Sequence, residues 1–299
     1  MLSFMPGPIR ALLTFTLFVI NIAIVFVPLI VLSILKVLLP AKLMQRLIAK
    51  ALIYLAEYWV FVNSLILTLV HDINIDIEMP ESLGQSGWYL VTCNHQSWVD
   101  IVVLQEIFRG KLPFLKFFLK KELMWVPFLG LAWWALDFPF MRRYSHEYLQ
   151  KHPEKKGTDL EITRQACEKF KEIPVSVMNF VEGTRYSDNK RSLSGSGYQY
   201  LLNPKAGGVA FVLSAMSGQL RSLVDVTIVY HEKSIGFWDL MFGRVRNITV
   251  RVTERPIPTE MALGSYETDP EFRSQLKLWL GGIWQEKDDL IAQVKRQEE

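Results

Sequence analysis

Residues 92–100 read Thr-Cys-Asn-His-Gln-Ser-Trp-Val-Asp, and they mark a change from strand-like to helix-like sequence. The residues just before, 87–93, form a short apolar and β-branched run that favours a strand. Residues 97–104 combine a Ser-x-x-Asp start with an apolar run, which is typical of the beginning of a helix. The sequence therefore predicts that His95 lies on the turn between a strand and a helix.

Three interpretations of this turn are open. Ser97 and Asp100 can form an ordinary capping box, in which their side chains satisfy free backbone N–H groups and Asp100 is purely structural. Alternatively, the carboxylate of Asp100 orients the imidazole of His95 for proton transfer. Cys93 can also form a nucleophile pair with His95, although a small buried residue is the simpler interpretation of Cys93.

A second strand-like run, residues 174–181, ends in Glu-Gly-Thr-Arg at positions 182–185. From residue 72 onward, strand-like runs alternate with helical ones, which predicts an α/β fold with a mostly parallel sheet and flanking helices. Ligands of such sheets gather at the carboxyl ends of the strands. Since the His95 turn and residues 182–185 each follow a strand directly, we expect them on the same edge of the sheet.

The remaining elements are predicted from periodicity and from turn residues. We expect strands at residues 73–78, 112–118, 136–141 and 247–253, helices at 122–134 and 159–171, and loops at 151–158 and 191–198. Pro139 places residues 136–141 at a sheet edge. Residues 269–299 predict a helix with one apolar side. We expect that side to pack on the domain, because the acidic residues at 286, 288 and 289 are unfavourable beside anionic lipid.

The N-terminal region predicts a membrane-embedded helical pair. Residues 11–35 carry no charge and exceed the roughly 20 residues that cross a hydrocarbon core. Pro28 can kink this run, which leaves open whether it spans the membrane or enters it and returns to the same side. Residues 51–70 form a second apolar run with interfacial aromatic residues. An internal hydrophobic hairpin is the alternative. The basic residues at 36, 42, 46 and 50, against Arg10 before the run, predict a cytoplasmic location for the downstream side.

Composition excludes some functional classes. The chain has 299 residues, half of them hydrophobic, and a formal net charge of +3. Most of the basic excess lies within residues 1–70, so the remainder has no sequence-independent nucleic-acid surface. Two cysteines and five histidines show no metal-ligand spacing, and we expect no structural zinc.

Four blocks in order resemble the glycerolipid acyltransferase family, typified by bacterial lysophosphatidic acid acyltransferases. They are Asn-His-x-x-x-x-Asp at 94–100, Phe-Met-Arg-Arg at 140–143, Phe-Val-Glu-Gly-Thr-Arg at 180–185 and Val-Asp-Val-Thr-Ile-Val-Tyr at 224–230. The resemblance covers roughly residues 75–235. The commonest fourth block of that family has proline where this chain has Asp225. The Asp-Val-Thr form resembles the lysocardiolipin and long-chain acylglycerophosphate branch, so the substrate stays open.

The resemblance implies a membrane-bound enzyme that moves a fatty acyl group from acyl-CoA or acyl-carrier protein to the free hydroxyl of a lysophospholipid. The expected acceptor is 1-acyl-glycerol-3-phosphate, which gives phosphatidic acid, and no cofactor is implied. His95 would be the general base and Asp100 its orienting carboxylate. The residues implied to bind the acceptor are Glu182, Gly183, Thr184, Arg185 and Arg143.

Several alternatives stay open at this point. The chain can be a lysocardiolipin or other remodelling acyltransferase, a non-catalytic lipid-binding membrane protein, or a hydrolase that activates water. Arg185 can form a salt bridge with Glu182 instead of binding phosphate. Backbone N–H groups at the helix start after His95 are candidates for an oxyanion site.

The expected organisation is a membrane anchor at 1–71, a catalytic domain at 72–260 and a C-terminal amphipathic helix at 261–299. The expected location is a bacterial inner membrane, with the catalytic domain on the cytoplasmic side.

Overall fold

A computed structural model describes residues 2–39, 41–141, 168, 170, 172–216, 218–232, 235–264, 266 and 268–297. Its strands are β1 Asn74–Glu78, β2 Trp88–Cys93, β3 Leu115–Phe117, β4 Leu119–Lys120, β5 Phe140–Met141, β6 Ser176–Phe180, β7 Leu220–Tyr230 and β8 Asn247–Arg255. Its helices are α1 Gly7–Leu38, α2 Lys42–Val70, α3 Val99–Phe108, α4 Leu129–Ala135, α5 Asp188–Ser194, α6 Ala206–Ala215, α7 Phe237–Met241, α8 Thr259–Leu263 and α9 Pro270–Arg296.

Six strands form the central sheet, in the order β1-β8-β7-β2-β6-β3. All neighbouring pairs are parallel except β7 and β8, which are antiparallel. The predicted α/β fold with a mostly parallel sheet is therefore confirmed. Strand β2 lies between β6 and β7, and every residue after Trp88 is buried, as expected for a central strand that is covered on both faces. Its carboxyl end carries residues 94–100.

Apolar residues cover both faces of the sheet. One face packs against α2 and α3 through residues such as Leu52, Ala56 and Leu104. The other face packs against α6 and α9, where Leu276 and Trp284 are fully buried. The apolar side of α9 therefore lies against the sheet. Glu286 and Asp289 are exposed, whereas Asp288 is buried and accepts hydrogen bonds from the backbone N–H groups of Gln199 and Tyr200, both at 2.7 Å.

Helices α1 and α2 form a long antiparallel hairpin, and by length and composition both can cross a membrane. Helix α1 continues without a break past Pro28. Both ends of the hairpin contact the α/β part. Gly7 lies beside Phe242 near the start of α1, while the Lys36 ammonium near its end donates to the Ala135 carbonyl at 3.0 Å. It also pairs with Asp137 at 2.5 Å.

Some predicted elements differ from the observed ones. The helix expected at 122–134 is two pieces, a 3₁₀ turn at Lys121–Trp125 and α4. The helix is interrupted at Pro127, because proline has no N–H group to continue the helical hydrogen bonds. Phe128, the next residue, adopts a positive φ of 63°. The strand expected at 136–141 is the two-residue β5, which pairs with β4 outside the main sheet. The strand expected at 112–118 is shortened to β3, with β4 beyond it.

Three further predictions, and one helix that was not predicted, concern the segment between residues 151 and 215. The loop expected at 191–198 begins as the last turn of α5, and Gly195 ends that helix in the left-handed conformation. Helix α6 was not predicted, because residues 206–215 are apolar on nearly every side and have no periodic stripe. The loop expected at 151–158 and nearly all of the helix expected at 159–171 lie outside the described residues.

Candidate active site

His95 and Asp100 form a hydrogen-bonded pair at the carboxyl end of β2. The Nδ1 atom of His95 lies 2.8 Å from Oδ2 of Asp100. The Asp100 side chain is fully buried, whereas 17% of the His95 side chain is exposed. Because Nδ1 is engaged by the carboxylate, Nε2 is the ring nitrogen that can exchange a proton with a bound molecule.

The carboxylate of Asp100 has more partners than the sequence indicated. Oδ2 also accepts hydrogen bonds from the backbone N–H groups of Gln96 at 2.7 Å and Ser97 at 2.9 Å. Oδ1 accepts from the hydroxyl of Tyr230 at 2.7 Å. Burial raises the pKa of Tyr230 well above its usual value, so the phenol remains a donor. Asp100 therefore caps the helix start and orients His95 at once.

These contacts decide between two candidate roles of the N–H groups at the helix start, capping and an oxyanion site. The N–H groups of Gln96 and Ser97 are taken by Asp100, and the N–H of Val99 donates to the hydroxyl of Ser97 at 3.2 Å. These three groups are therefore not free to form the candidate oxyanion site. The reason is the carboxylate five residues after the histidine, which satisfies the N–H groups that a substrate oxygen would need.

The residues before His95 serve the fold. The Asn94 amide donates to the Ile228 carbonyl and accepts from its N–H, both at 2.9 Å, which ties the end of β2 to β7. Cys93 is fully buried, and burial raises the pKa of its thiol well above the usual value. The protonated thiol is a poor nucleophile, so the structure gives no support to a Cys93–His95 pair.

The two turns predicted to share an edge are in contact. The ring of His95 stacks on Phe180, the last residue of β6, with centroids 3.8 Å apart and an interplanar angle of 15°. The backbone N–H of Tyr186 donates to the His95 carbonyl at 2.6 Å. The turn at residues 182–185 is thereby fixed against the His95 turn.

Cationic side chains surround the turn at residues 182–185. Arg185 is exposed, and its guanidinium lies 5.9 Å from the ring centroid of Trp98 at the start of α3. Lys190 donates to the hydroxyl of Thr184 and to the carbonyl of Arg185, both at 2.9 Å. Within the described ranges Arg185 forms no ion pair with Glu182, so that alternative is not supported.

Gly183 allows another cation to approach. It has a φ of 70°, and a Cβ atom there would lie 3.2 Å from the side chain of Lys205. Sequence reasoning did not select Lys190 or Lys205, although Lys205 belongs to a Pro-Lys-Ala-Gly-Gly run that directly precedes α6. Arg143, the remaining expected contact, lies outside the described residues.

A match to known families adds to this geometry. The model of the family described as Acyltransferase matches residues 74–231, which is more than half of the chain. The chain belongs to the Acyltransferase family. The matched region contains the His95–Asp100 pair, the turn at 182–185 and all of β7.

Two curated relatives and one solved structure are similar to this acyltransferase. Mouse (Mus musculus) 1-acyl-sn-glycerol-3-phosphate acyltransferase gamma is 25% identical over 219 residues, which cover 69% of this chain and 53% of that protein. Lysocardiolipin acyltransferase 1 of Gallus gallus is 24% identical over 216 residues, which cover 68% of this chain and 52% of that protein. The chain thus spans about half the length of the curated relatives it matches.

The solved structure is the 1-acyl-sn-glycerophosphate (LPA) acyltransferase PlsC from Thermotoga maritima. Its TM-score is 0.53 at 18% identity, with 93% of this chain and 97% of that chain covered. At this identity the likeness shows a shared fold, and it includes the region of the helical hairpin.

Asp225, where the fourth block departs from its commonest form, lies in a buried ion pair of this acyltransferase. Its Oδ1 atom is 2.9 Å from the ammonium of Lys287 in α9 and accepts from the hydroxyl of Thr92 at 2.9 Å. Both charged side chains are nearly inaccessible. The departure is therefore compensated within the fold by a lysine from the C-terminal helix.

Glu182 is the other unusual carboxyl group. Burial raises its pKa to about 8, although nearby backbone N–H groups of His95 and Leu202 and the charge of Lys287 act in the opposite direction. Neither carboxyl oxygen makes a well-formed hydrogen bond within the described part of the chain. At neutral pH Glu182 is therefore largely uncharged, and it does not neutralise the cations around the turn.

The pKa of Glu182 predicts a pH dependence of stability. Its value of about 8 lies above the ordinary 4.5, so the folded protein holds a proton that the unfolded chain releases. The contribution is fully present below about pH 4.5 and is lost as the pH rises through about 8. We expect Glu182→Gln to flatten the decline in unfolding free energy over this interval.

Denaturant melts of the purified protein in neutral detergent, at several pH values, measure this slope. The exposed Glu260 provides a matched control, because Glu260→Gln should keep the wild-type slope. Equal slopes in wild type and Glu182→Gln would contradict the assignment of a raised pKa to Glu182.

Proposed function

We propose that this acyltransferase transfers a fatty acyl group from an acyl thioester to the free hydroxyl of a lysophospholipid, with 1-acyl-glycerol-3-phosphate as the preferred acceptor. The observation that carries the proposal is the His95–Asp100 pair beside a cationic turn on one edge of the sheet. The acceptor is the one in the name of the mouse relative.

The proposed reaction follows from the position of His95. Nε2 takes the proton of the acceptor hydroxyl while the oxygen attacks the thioester carbonyl. The new C–O bond forms, the C–S bond breaks, and the imidazolium returns its proton to the departing thiolate. The N–H groups of Gln96 and Ser97 and the Tyr230 hydroxyl donate to the carboxylate of Asp100, which stabilises the imidazolium. No covalent acyl-enzyme is required.

The acceptor phosphate is assigned to the turn at residues 182–185. Arg185 offers two parallel N–H donors, a geometry that suits a phosphate group. Lys190 and Lys205 add charge nearby, and Gly183 lets the backbone approach the ligand. Glu182, buried and largely protonated, adds no negative charge to this group of cations.

A series of aromatic rings extends from His95 into the interior of the domain. Phe180 contacts the imidazole, Phe117 lies 6.1 Å from Phe180, and Phe138 lies 6.4 Å from Phe117. The series ends at Phe114, which with Phe138 lines a cavity of about 640 Å³ between the hairpin and the sheet. We assign the acyl chain to the path beside this series of rings.

A matrix of acceptors and donors tests the reaction. Purified protein in vesicles is supplied with acyl-CoA or acyl-carrier-protein donors and with a panel of lysophospholipids that includes lysocardiolipin. We expect phosphatidic acid as the main product. Fatty acid release that is independent of acceptor would identify a hydrolase, and a preference for lysocardiolipin would establish the remodelling alternative. If no donor yields phosphatidic acid or another acylated lysophospholipid, the proposal is overturned.

Arg185→Lys should raise the KM for the acceptor and leave the KM for the donor nearly unchanged. A lysine ammonium replaces the two-pronged contact with a point charge, and one charge-assisted hydrogen bond is worth roughly 1.5–3 kcal/mol, or about 10- to 150-fold. Because Arg185 is exposed, the melting temperature should not change. The exposed Arg296 in the last turn of α9 gives a control, Arg296→Lys. Equal increases in both KM values would refute the assignment of Arg185 to the acceptor phosphate.

The α1–α2 hairpin is our proposed membrane attachment. Its outward side carries many exposed apolar residues, among them Leu12, Ile24, Val27, Val31, Leu43 and Leu65. Helix α1 is about 48 Å long at roughly 1.5 Å per residue, yet both ends contact the α/β part. A hairpin held in this way lies along the domain, so we propose that it is embedded in the bilayer surface. The cytoplasmic location expected for the residues after the first apolar run follows from a rule for helices that cross the membrane. It stays a prediction.

Replacing Ile24 and Val31 together with aspartate should release the protein from membranes in a carbonate wash that leaves wild type attached. A charged side chain on the apolar side of an embedded helix is unfavourable, so two of them should weaken the attachment. Leu278, 76% exposed on α9, gives the matched control Leu278→Asp, which should stay attached. Release of the wild type by salt alone would contradict attachment through the apolar side.

A further inference from the structure

A second cavity, of about 460 Å³, lies at the N-terminus of α1, where it meets the segment after α7. Its lining includes Gly7, Pro8 and three arginines, Arg10, Arg244 and Arg246. The catalytic pair, the turn at residues 182–185 and the aromatic series do not line it.

Arg10 is a buried cation for which the described residues provide no counter-ion. Its residue exposure is 8%, and Nε has no hydrogen-bond acceptor. Across the described ranges the Arg10 guanidinium makes no ion pair. Gly243 permits this position, since it has a φ of 69° and a Cβ atom there would overlap the Arg10 guanidinium. A buried charge without a partner is costly, so this arrangement points to an anion supplied from outside the chain.

The neighbouring groups do not supply that negative charge. His71 lies against the same glycine, with Nε2 2.8 Å from the hydroxyl of Thr14. Burial and the charge of Arg10 lower the pKa of His71 to about 4, so it is neutral at physiological pH. Two acids lie beside the other arginines: Asp239 pairs with Arg244 at 3.1 Å, and Glu232 accepts from the backbone N–H of Arg246 at 2.7 Å. Within the described residues neither acid forms an ion pair with Arg10.

Two further features add positive potential. Arg246 is exposed and, within the part of the chain that the structure describes, forms no ion pair. Its backbone N–H donates to the carboxylate of Glu232 at 2.7 Å. The N-terminus of α1, a helix of 32 residues, carries the positive end of the helix dipole. Arg10, Arg246 and this helix end therefore add positive charge around the cavity. The charge of Arg244 is already balanced by Asp239.

We propose that this cavity binds the phosphate of an anionic membrane phospholipid, at a site separate from the acceptor site beside His95. The arginines and the helix end select the phosphate. The surroundings select a lipid, because Phe4, Ile9 and Trp238 near the cavity are 79%, 52% and 58% exposed. Phe15 of the outward side of α1 lies 6.4 Å from Trp238, so the apolar surface continues to the proposed membrane side. The choice of lipid over free phosphate rests on the membrane attachment proposed above.

Titration of the full-length protein in neutral detergent tests the site without any activity measurement. The ligands are dihexanoyl phosphatidylglycerol, the zwitterionic dihexanoyl phosphatidylcholine and inorganic phosphate, with bound lipid counted by native mass spectrometry. We expect saturable binding of one phosphatidylglycerol, at least about 10-fold tighter than phosphatidylcholine. Arg10→Gln and Arg246→Gln should each weaken phosphatidylglycerol binding about 10-fold or more. Arg246 is exposed, so its variant keeps the test valid if Arg10→Gln fails to fold.

Two controls separate this site from others. Arg221→Gln removes the same charge from the opposite end of β7 and should bind phosphatidylglycerol like wild type. Arg185→Lys should also bind it normally; a loss there equal to that in Arg246→Gln would place the lipid in the acceptor site and overturn the proposal. Inorganic phosphate binding as tight as phosphatidylglycerol would refute the lipid assignment. Unchanged binding in both cavity variants would refute the site altogether.

Discussion

His95→Ala is expected to lower kcat for acyl transfer by about 10²- to 10⁴-fold, the usual contribution of a positioned general base. Without the imidazole, the acceptor hydroxyl must lose its proton to water while its oxygen attacks the thioester. The KM for the acceptor should change little, because the phosphate is assigned to Arg185 and its neighbouring lysines.

The fold should survive this change. Asp100 keeps three of its hydrogen bonds, from the N–H groups of Gln96 and Ser97 and from the Tyr230 hydroxyl. His231, which follows β7 and lies 2.9 Å from the Thr249 hydroxyl, is a matched control. His231→Ala should stay within a few-fold of wild type, since it removes an imidazole outside the pair. Wild-type turnover in purified, folded His95→Ala would refute the proposed mechanism.

Asp100→Asn should lower kcat by a similar factor, on the order of 10²- to 10⁴-fold, for a different reason. The amide oxygen can still accept from the His95 Nδ1–H and from the N–H groups of Gln96 and Ser97. Its NH₂ group then faces the Tyr230 hydroxyl, which can rotate to accept a hydrogen bond. The turn is thus retained, but the negative charge that stabilises the imidazolium during proton transfer is lost.

Tyr230→Phe is the comparison that separates charge from capping. It removes one donor to Asp100 and keeps the carboxylate, so kcat should fall less than about 10-fold while stability drops by roughly 1.5–3 kcal/mol. Melting curves and kcat per folded molecule should be measured for both variants. If Asp100→Asn is unstable yet fully active per folded molecule, Asp100 is only a cap.

Local sequence patterns were sufficient to predict the layout of the sheet edge. The run before His95 and the run before Glu182 are short, apolar and β-branched, and each is followed by turn residues. Burial on both faces of a parallel sheet requires such continuous runs, so their meaning does not depend on distant contacts. The rule that parallel strands present their carboxyl ends together then brought the two turns to one edge, and the stacking of His95 on Phe180 agrees with it.

The partners of the buried charged groups are decided by distant contacts. The sequence did not predict them, because such contacts depend on strand register and side-chain direction. Tyr230 reaches Asp100 across 130 residues of sequence, and Lys287 of α9 pairs with Asp225 in β7. The sequence left the helix-start N–H groups open to two interpretations, a capping box or an oxyanion site, and only the three-dimensional position of the Asp100 carboxylate shows that they are occupied. Arg10 appeared in the sequence as a flanking charge of an apolar run. Its burial against Gly243, without a counter-ion in the described residues, exists only because α1 packs against the segment before β8, a contact that no local pattern encodes.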